Sequence, residues 1–264
     1  MAPLRLSFVI RSLYDQLPSG DNLVKWKLAQ DPSCGLCGER QTLLHVLAAC
    51  KMALSLGRYT WRHNEVLSKI CLAVEAALVI NEKEFIHAAD STTSGGTPAT
   101  QPVRSILQTA NDWKLAADLD GSRNYPACMK QSGLRPDMVV FSESSRTMIV
   151  IELTVPFESN ISSSHEYKLA KYEGLLKEIH KYGYRTHMFA VEVGARGLAT
   201  TSLYDLLKRL GLSSRTRARF LKQSAETAER ASYWVWLKRN DKEWKPEESP
   251  WKKTHFMKKG QCLT

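Results

Sequence analysis

The sequence predicts an α+β fold: a mixed sheet flanked by helices, preceded by a helical region that holds a cysteine–histidine knuckle. Three observations lead there. Beyond residue 103, three short apolar runs at strand period precede a long helical pattern and a fourth such run. Apolar stripes at helical spacing lie on both sides of that block. Cys34, Cys37, His45 and Cys50 crowd into seventeen residues between two of the N-terminal helical stretches.

In chain order, Leu4 to Leu13 has helical spacing and stops at Leu17-Pro18-Ser19-Gly20-Asp21-Asn22, where Asp21 or Asn22 can cap a short helix carrying Leu23 and Trp26. Asp31 to Gly38 is a tight knuckle, and Thr42 to Cys50 reads as a helix. From Gly57 to Ile80, Val66, Leu67, Ile70, Val74 and Leu78 form one stripe of a further helix, and Arg58, Arg62 and His63 at its start suit either phosphate contact or a solvated basic helix end. Residues 88–102 are rich in Gly, Pro, Ser and Thr, which predicts a flexible linker and a domain boundary. Strands are expected over Leu115–Leu119, Met138–Phe141 and Met148–Val155, with a polar turn over Ser142–Arg146. Ser163-x-x-Glu166 reads as a capping box opening a long helix with Tyr172, Leu175, Leu176 and Ile179 inward, and Gly183 closes it. His187–Val193 is a fourth strand, and helices follow over Ser202–Leu210 and Arg215–Leu237. The tryptophans at 234 and 236 read as packing residues.

The chain carries a net charge of +10 over 264 residues, and from Arg215 onward thirteen Lys/Arg face six Asp/Glu. A basic C-terminal fifth favours a polyanionic partner. Six cysteines, three of them clustered, fit a reducing compartment better than a disulfide scaffold. With no signal-type cleavage site and no apolar run of bilayer length, a soluble, intracellular protein without a membrane partner is expected.

The spacing Cys34-x2-Cys37-x7-His45-x4-Cys50 supplies soft and borderline ligands in the number that a structural Zn2+ takes, and glycines flanking the first pair let two sulfurs converge. Metal here would hold together a segment too short to fold alone. The other constellation lies on the second and third strands. An antiparallel hairpin brings Asp137 towards Glu152, with fourteen residues between them. Two converging carboxylates meet the minimum for a divalent cation such as Mg2+, and a nearby ammonium from Lys168 or Lys171 can orient water or stabilise developing charge. A carboxylate within Met148-Ile149-Val150-Ile151-Glu152-Leu153-Thr154-Val155 is costly unless paired or bound to metal. Asp118 and Asp120 are further candidate ligands from the first strand, though a turn before Gly121 explains Asp120 equally well, and Glu192 either approaches the site or pairs with Arg196.

These residues together resemble a known family. Arg135-Pro136-Asp137 with Glu152 is similar to the PD-(D/E)XK nuclease core, and Ile151 to Glu158 resembles the restriction-like endonuclease at the C-terminus of site-specific LINE-type, non-LTR retrotransposon polyproteins. Tyr167 to Tyr172, Val191 to Gly197 and the upstream knuckle are similar too, so the resemblance runs from about Phe8 to about Gly211. It implies an αβββαβ core, Mg2+-dependent nicking of DNA and a part in target-primed insertion. Glu152-Leu153-Thr154 lacks a lysine two residues after the second acid, and the family places that function on the following helix, where Lys168 and Lys171 both match. Lys171 is slightly favoured. A reverse transcriptase domain is missing, so the chain reads as a truncated or detached C-terminal piece of such an element, with a reverse transcriptase in trans as a candidate partner.

The expected organisation is a helical region over 1–87 with the knuckle at 34–50, a linker over 88–102, the endonuclease core over 103–211 and a basic helix and tail over 212–264. Arg135, Arg58, Arg62 and Arg196 are the candidate phosphate contacts, DNA the expected partner with element RNA as another, and the nucleus the expected location. The alternative is a non-catalytic zinc-knuckle nucleic-acid-binding remnant or domesticated transposon fragment.

Overall fold

A computed structural model describes residues 3–90, 105–119, 125–129 and 133–249. The linker expected over 88–102 falls largely outside these residues, as do Asp120 and the tail beyond 249. Among the described residues there are seven α-helices and four strands: α1 (Pro3–Leu13), α2 (Gly20–Lys25), α3 (Lys51–Ser55), α4 (Arg58–Asp90), β1 (Lys114–Ala117), β2 (Met138–Ser142), β3 (Thr147–Thr154), α5 (Ile161–Lys181), β4 (Arg185–Glu192), α6 (Thr201–Arg209) and α7 (Ser214–Leu237). No described helix is long and apolar enough to cross a membrane.

The four strands form one mixed sheet in the order β1-β2-β3-β4. β1–β2 and β2–β3 are antiparallel, and β3–β4 are parallel. The parallel pair requires a crossover, which α5 supplies. Both faces of the central strands are covered, and this explains why β2 and β3 read as continuous apolar runs rather than alternating ones. Met138, Val140, Ile149, Ile151 and Leu153 pack on one face with Val66, Leu67, Ile70 and Val74 of α4 and Leu203, Leu206 and Leu207 of α6. Val139, Met148 and Val150 pack on the other with Tyr172, Leu175 and Ile179 of α5.

The chain divides into two units, Met1–Trp61 with Arg230–Thr264, and Arg62–Glu229. This differs from a boundary at 88–102. The α4 stripe from Val66 onward belongs to the sheet's core, because those side chains find their apolar partners there. Helix α4 also runs ten residues past Ile80. Asn81 does not break it, since its side-chain amide is buried and donates to the Ala110 carbonyl at 3.1 Å. In the first unit Trp234 and Trp236 are buried, as expected of packing residues.

One cap of α5 differs from expectation and the other agrees with it. Helix α5 starts at Ile161 without a capping box, and Ser163 lies in its first turn with its hydroxyl donating to Asn160 O. A 3₁₀ turn over Glu158–Asn160 leads straight into the helix, so the chain is already helical where the box would need an extended residue. At the other end Gly183 adopts φ +79°, the left-handed conformation that stops α5.

Candidate functional site

In the first unit, a short hairpin and a wide helical turn bring the knuckle residues together. Ser33 and Arg40 pair as a β-bridge, the Cys34 N–H donates to Glu39 O at 2.7 Å, and the Gly38 N–H donates to Cys34 O at 2.8 Å. Gly38 takes φ +77°, which a side chain would resist. The expected helix over Thr42–Cys50 is instead a π-helical turn, His45–Ala49. Residues five apart on an α-helix point about 140° away from each other, and the wider turn brings His45 and Cys50 to the same side. Tyr59 braces it, its hydroxyl lying 2.9 Å from Val46 O and 3.1 Å from His45 O and accepting from the Cys50 N–H at 3.1 Å.

The four ligand atoms all lie within 4.8 Å of one another. Cys34 Sγ is 4.0 Å and Cys37 Sγ 3.7 Å from Cys50 Sγ, and Cys37 Sγ is 3.3 Å from His45 Nε2. A tetrahedron with Zn–S bonds of about 2.3 Å has S···S edges of about 3.8 Å, so the donor set and its spacing both fit Zn2+. Burial holds His45 below the usual imidazole value, opposed by the Glu39 charge, and so preserves the lone pair that a metal needs. Glu39 Oε2 lies 3.8 Å from His45 Nδ1 and Glu39 Oε1 pairs with Lys51 at 2.9 Å, an outer layer that orients the ring. Burial pushes the Cys37 thiol up to about 11, and hydrogen bonding and charge from the neighbouring cysteines add to the rise. Burial also works to raise Cys34, but hydrogen bonds from the backbone N–H groups of Leu36 and Cys37 and from the Cys37 and Cys50 side chains together outweigh it and hold that thiol below its ordinary value.

In the second unit, the register Met138↔Ile151 puts Asp137 and Glu152 opposite one another at the end of the β2–β3 pair. Glu152 is buried, and each oxygen has partners: Oε2 accepts from the Asp137 N–H at 3.1 Å and the Tyr172 hydroxyl at 2.9 Å, and Oε1 pairs with Lys168 Nζ at 2.5 Å. Lys171 Nζ is farther from Oε1, at 3.8 Å, and sits over the Tyr172 ring. Lys168, and not the slightly favoured Lys171, is thus the nearer of the two lysines to Glu152. Burial raises the Tyr172 phenol well above its ordinary value, and the adjacent Glu152 charge adds to this, so it acts as a donor.

Asp137 Oδ2 accepts from the Leu153 N–H at 2.7 Å and lies 3.2 Å from His63 Nε2. The same nitrogen is 3.3 Å from Leu153 O, and His63 Nδ1 is 3.1 Å from Asn64 Oδ1. Burial opposes protonation of His63, but the hydrogen bond and charge of Asp137 outweigh it and raise the imidazole above its usual value. Sequence reasoning treated His63 as a helix-end residue and Tyr172 as packing alone. Tyr172 lies next to Lys171, a spacing that could have flagged it, whereas His63 is 74 residues from Asp137 and left no local signal.

The candidate phosphate contacts differ in how the fold holds them. Arg58 is fully buried and donates to the carbonyls of Lys238 and Asp241, so it is a structural group and not a surface contact. Arg62 is 2 % exposed and donates to Val155 O at 3.0 Å. Arg196 pairs with Glu158 at 2.6 Å and stacks on Phe157, rather than pairing with Glu192. Glu192 is buried against His165 Nδ1 at 3.0 Å and the Ser202 hydroxyl at 2.6 Å. Arg135 stays exposed beside Asp137.

Residues 1–56 match the family model described as zinc-binding in reverse transcriptase. The match covers the Cys34, Cys37, His45 and Cys50 cluster, and the two findings agree that this segment binds zinc and is of a reverse-transcriptase-associated kind. No curated protein matches the chain.

Proposed function

We propose that the chain is a restriction-like DNA endonuclease of a non-LTR retroelement, nicking one strand in support of target-primed insertion. The observation that carries the reading is the pairing of Asp137 with Glu152 at one end of the sheet and Lys168 on Glu152, within the element order α4-β1-β2-β3-α5-β4. The donors there, two carboxylates and the Leu153 carbonyl, are oxygens of the kind a hard divalent cation takes. Asp137 and Glu152 would hold Mg2+, which when bound supplies Lewis acidity towards the scissile phosphate and lowers the pKa of its water. Lys168 is placed to orient that water or to stabilise the charge developing on phosphorus oxygens. Tyr172 and the Asp137 N–H fix the Glu152 carboxylate so that it need not reorganise. Exposed Arg135 is the candidate contact for a flanking phosphate.

A second reading has its own observation. Both Glu152 oxygens are already satisfied by protein donors, as a purely structural network would be. On that reading the chain is a zinc-knuckle nucleic-acid-binding module. The zinc-loaded protein incubated with supercoiled plasmid and Mg2+ or Mn2+ decides between them. Nicking that is lost in Asp137→Ala, with DNA binding retained, supports the endonuclease. A folded wild type that converts no plasmid with either metal overturns it.

A further inference from the structure

His63 Nε2 faces two oxygens, Asp137 Oδ2 at 3.2 Å and Leu153 O at 3.3 Å, and neither a carboxylate nor a carbonyl can donate. Across the ring, Nδ1 faces a third acceptor, Asn64 Oδ1, at 3.1 Å. A neutral imidazole has one N–H. With it directed to Asn64, the Nε2 lone pair points at oxygens that present lone pairs of their own. A positive centre between the three atoms removes that repulsion, and it is either a second proton or a metal cation.

The spacing fits a cation. Bonds of about 2.1 Å in an octahedron put neighbouring ligand atoms roughly 3.0 Å apart, close to the 3.2 and 3.3 Å seen from Nε2 to the two oxygens. The surroundings fit as well. Asn64 Oδ1 lies where it can accept from the far nitrogen, the position that outer partners of ligating histidines occupy. The Leu153 N–H occupies one lone pair of Asp137 Oδ2 and orients the carboxylate. The His63 and Asp137 side chains are 23 % and 18 % exposed, enough for an ion to enter.

We propose that His63 Nε2, Asp137 Oδ2 and Leu153 O form one face of a divalent-cation site, and that its nitrogen ligand selects a first-row transition ion of the Mn2+ class over Mg2+. Imidazole nitrogen gains affinity along the transition series, whereas Mg2+ keeps to oxygen and water. The ion's use in catalysis rests on the endonuclease reading, but the site itself is tested by binding.

The experiment adds Mn2+ to the zinc-loaded full chain, follows loss of the free Mn2+ EPR signal, and reads the ligands by electron spin echo envelope modulation. The expected result is binding that Asp137→Ala abolishes, at least about tenfold tighter for Mn2+ than for Mg2+, with nitrogen-14 coupling from a bound imidazole. His63→Ala should remove the coupling and weaken Mn2+ by about tenfold or more, with Mg2+ changed less than about threefold. Asp137-dependent Mn2+ binding without nitrogen coupling in the wild type overturns the ligand assignment and leaves the endonuclease reading standing. Absence of any Asp137-dependent Mn2+ or Mg2+ binding overturns both. Should His63→Ala melt early, His63→Asn and the wild-type coupling decide whether the imidazole is a ligand.

Discussion

Lys168 and Lys171 are one turn apart on α5, yet the structure makes them unequal in a way that stability measurements can resolve. The Glu152 side chain is 5 % exposed and Lys168, 19 % exposed, contacts its Oε1 at 2.5 Å, whereas Lys171 is 31 % exposed and 3.8 Å away. Removing one partner of a buried pair costs about 3–5 kcal/mol. Glu152 keeps the Tyr172 hydroxyl and the Asp137 N–H, so Lys168→Ala should fall at the low end, about 3 kcal/mol. Lys171→Ala should cost about 0–1 kcal/mol, as half-exposed pairs do. At about 2–4 °C per kcal/mol for a chain of this size, the first change lowers Tm by roughly 6–12 °C and the second by less than about 4 °C. The assay is denaturant and thermal unfolding of the zinc-loaded protein, with a double-mutant cycle against Glu152→Gln. That background removes the buried charge, and the coupling with Lys168→Ala should reach about 2–3 kcal/mol. Equal losses for the two lysines, or a coupling under about 0.5 kcal/mol, would refute the assignment of Lys168 as the counter-ion.

Other expectations follow from single contacts. Cys50→Ser, or chelation, should release the one zinc bound at 34–50 and speed amide exchange of Cys34 and Gly38 by at least about 100-fold, measured by exchange mass spectrometry with a zinc-release dye. Asp112 braces the β2–β3 turn, accepting from the Ser142 and Ser144 hydroxyls and the Ser144 N–H, and these bonds hold its carboxyl below the usual range. Its stabilising contribution is therefore full above the ordinary value of about 3.9 and is lost as pH falls below it. Asp112→Asn should flatten that acid limb in melts taken from pH 5 downward. Gly197 has φ +94°, and a Cβ there would meet the Ala225 carbonyl oxygen at 2.9 Å, so Gly197→Ala should cost about 1–3 kcal/mol in urea unfolding.

The knuckle was legible in the linear order because its ligands lie within seventeen residues, and a chain that short has few ways to close around one ion. The strands were legible for a related reason: a covered sheet demands unbroken apolar runs, and β2 and β3 supply them. A hairpin fixes its own register, so the pairing of Asp137 with Glu152 could be inferred from their spacing. The π turn at His45–Ala49 was not legible, because the metal-ligand geometry and Tyr59 override the local helical pattern.

Contacts between distant segments were beyond reach. Periodicity placed Val66 to Leu78 on a helix but could not say which core the stripe enters, and packing against the sheet moved the unit boundary from the Gly/Ser-rich stretch to Trp61–Arg62. Arg58 and Arg62 look like surface cations in a linear reading, but in the fold they are buried and donate to the carbonyls of Lys238, Asp241 and Val155. Two lysines three apart share a helix face, and side-chain reach then singles out Lys168. His63 reaches Asp137 only because α4 packs across a face of the sheet and begins near the end where β2 starts and β3 finishes. Local spacing can encode a ligand set, a hairpin or a helix stripe, but which distant group neutralises a buried charge depends on how the layers stack.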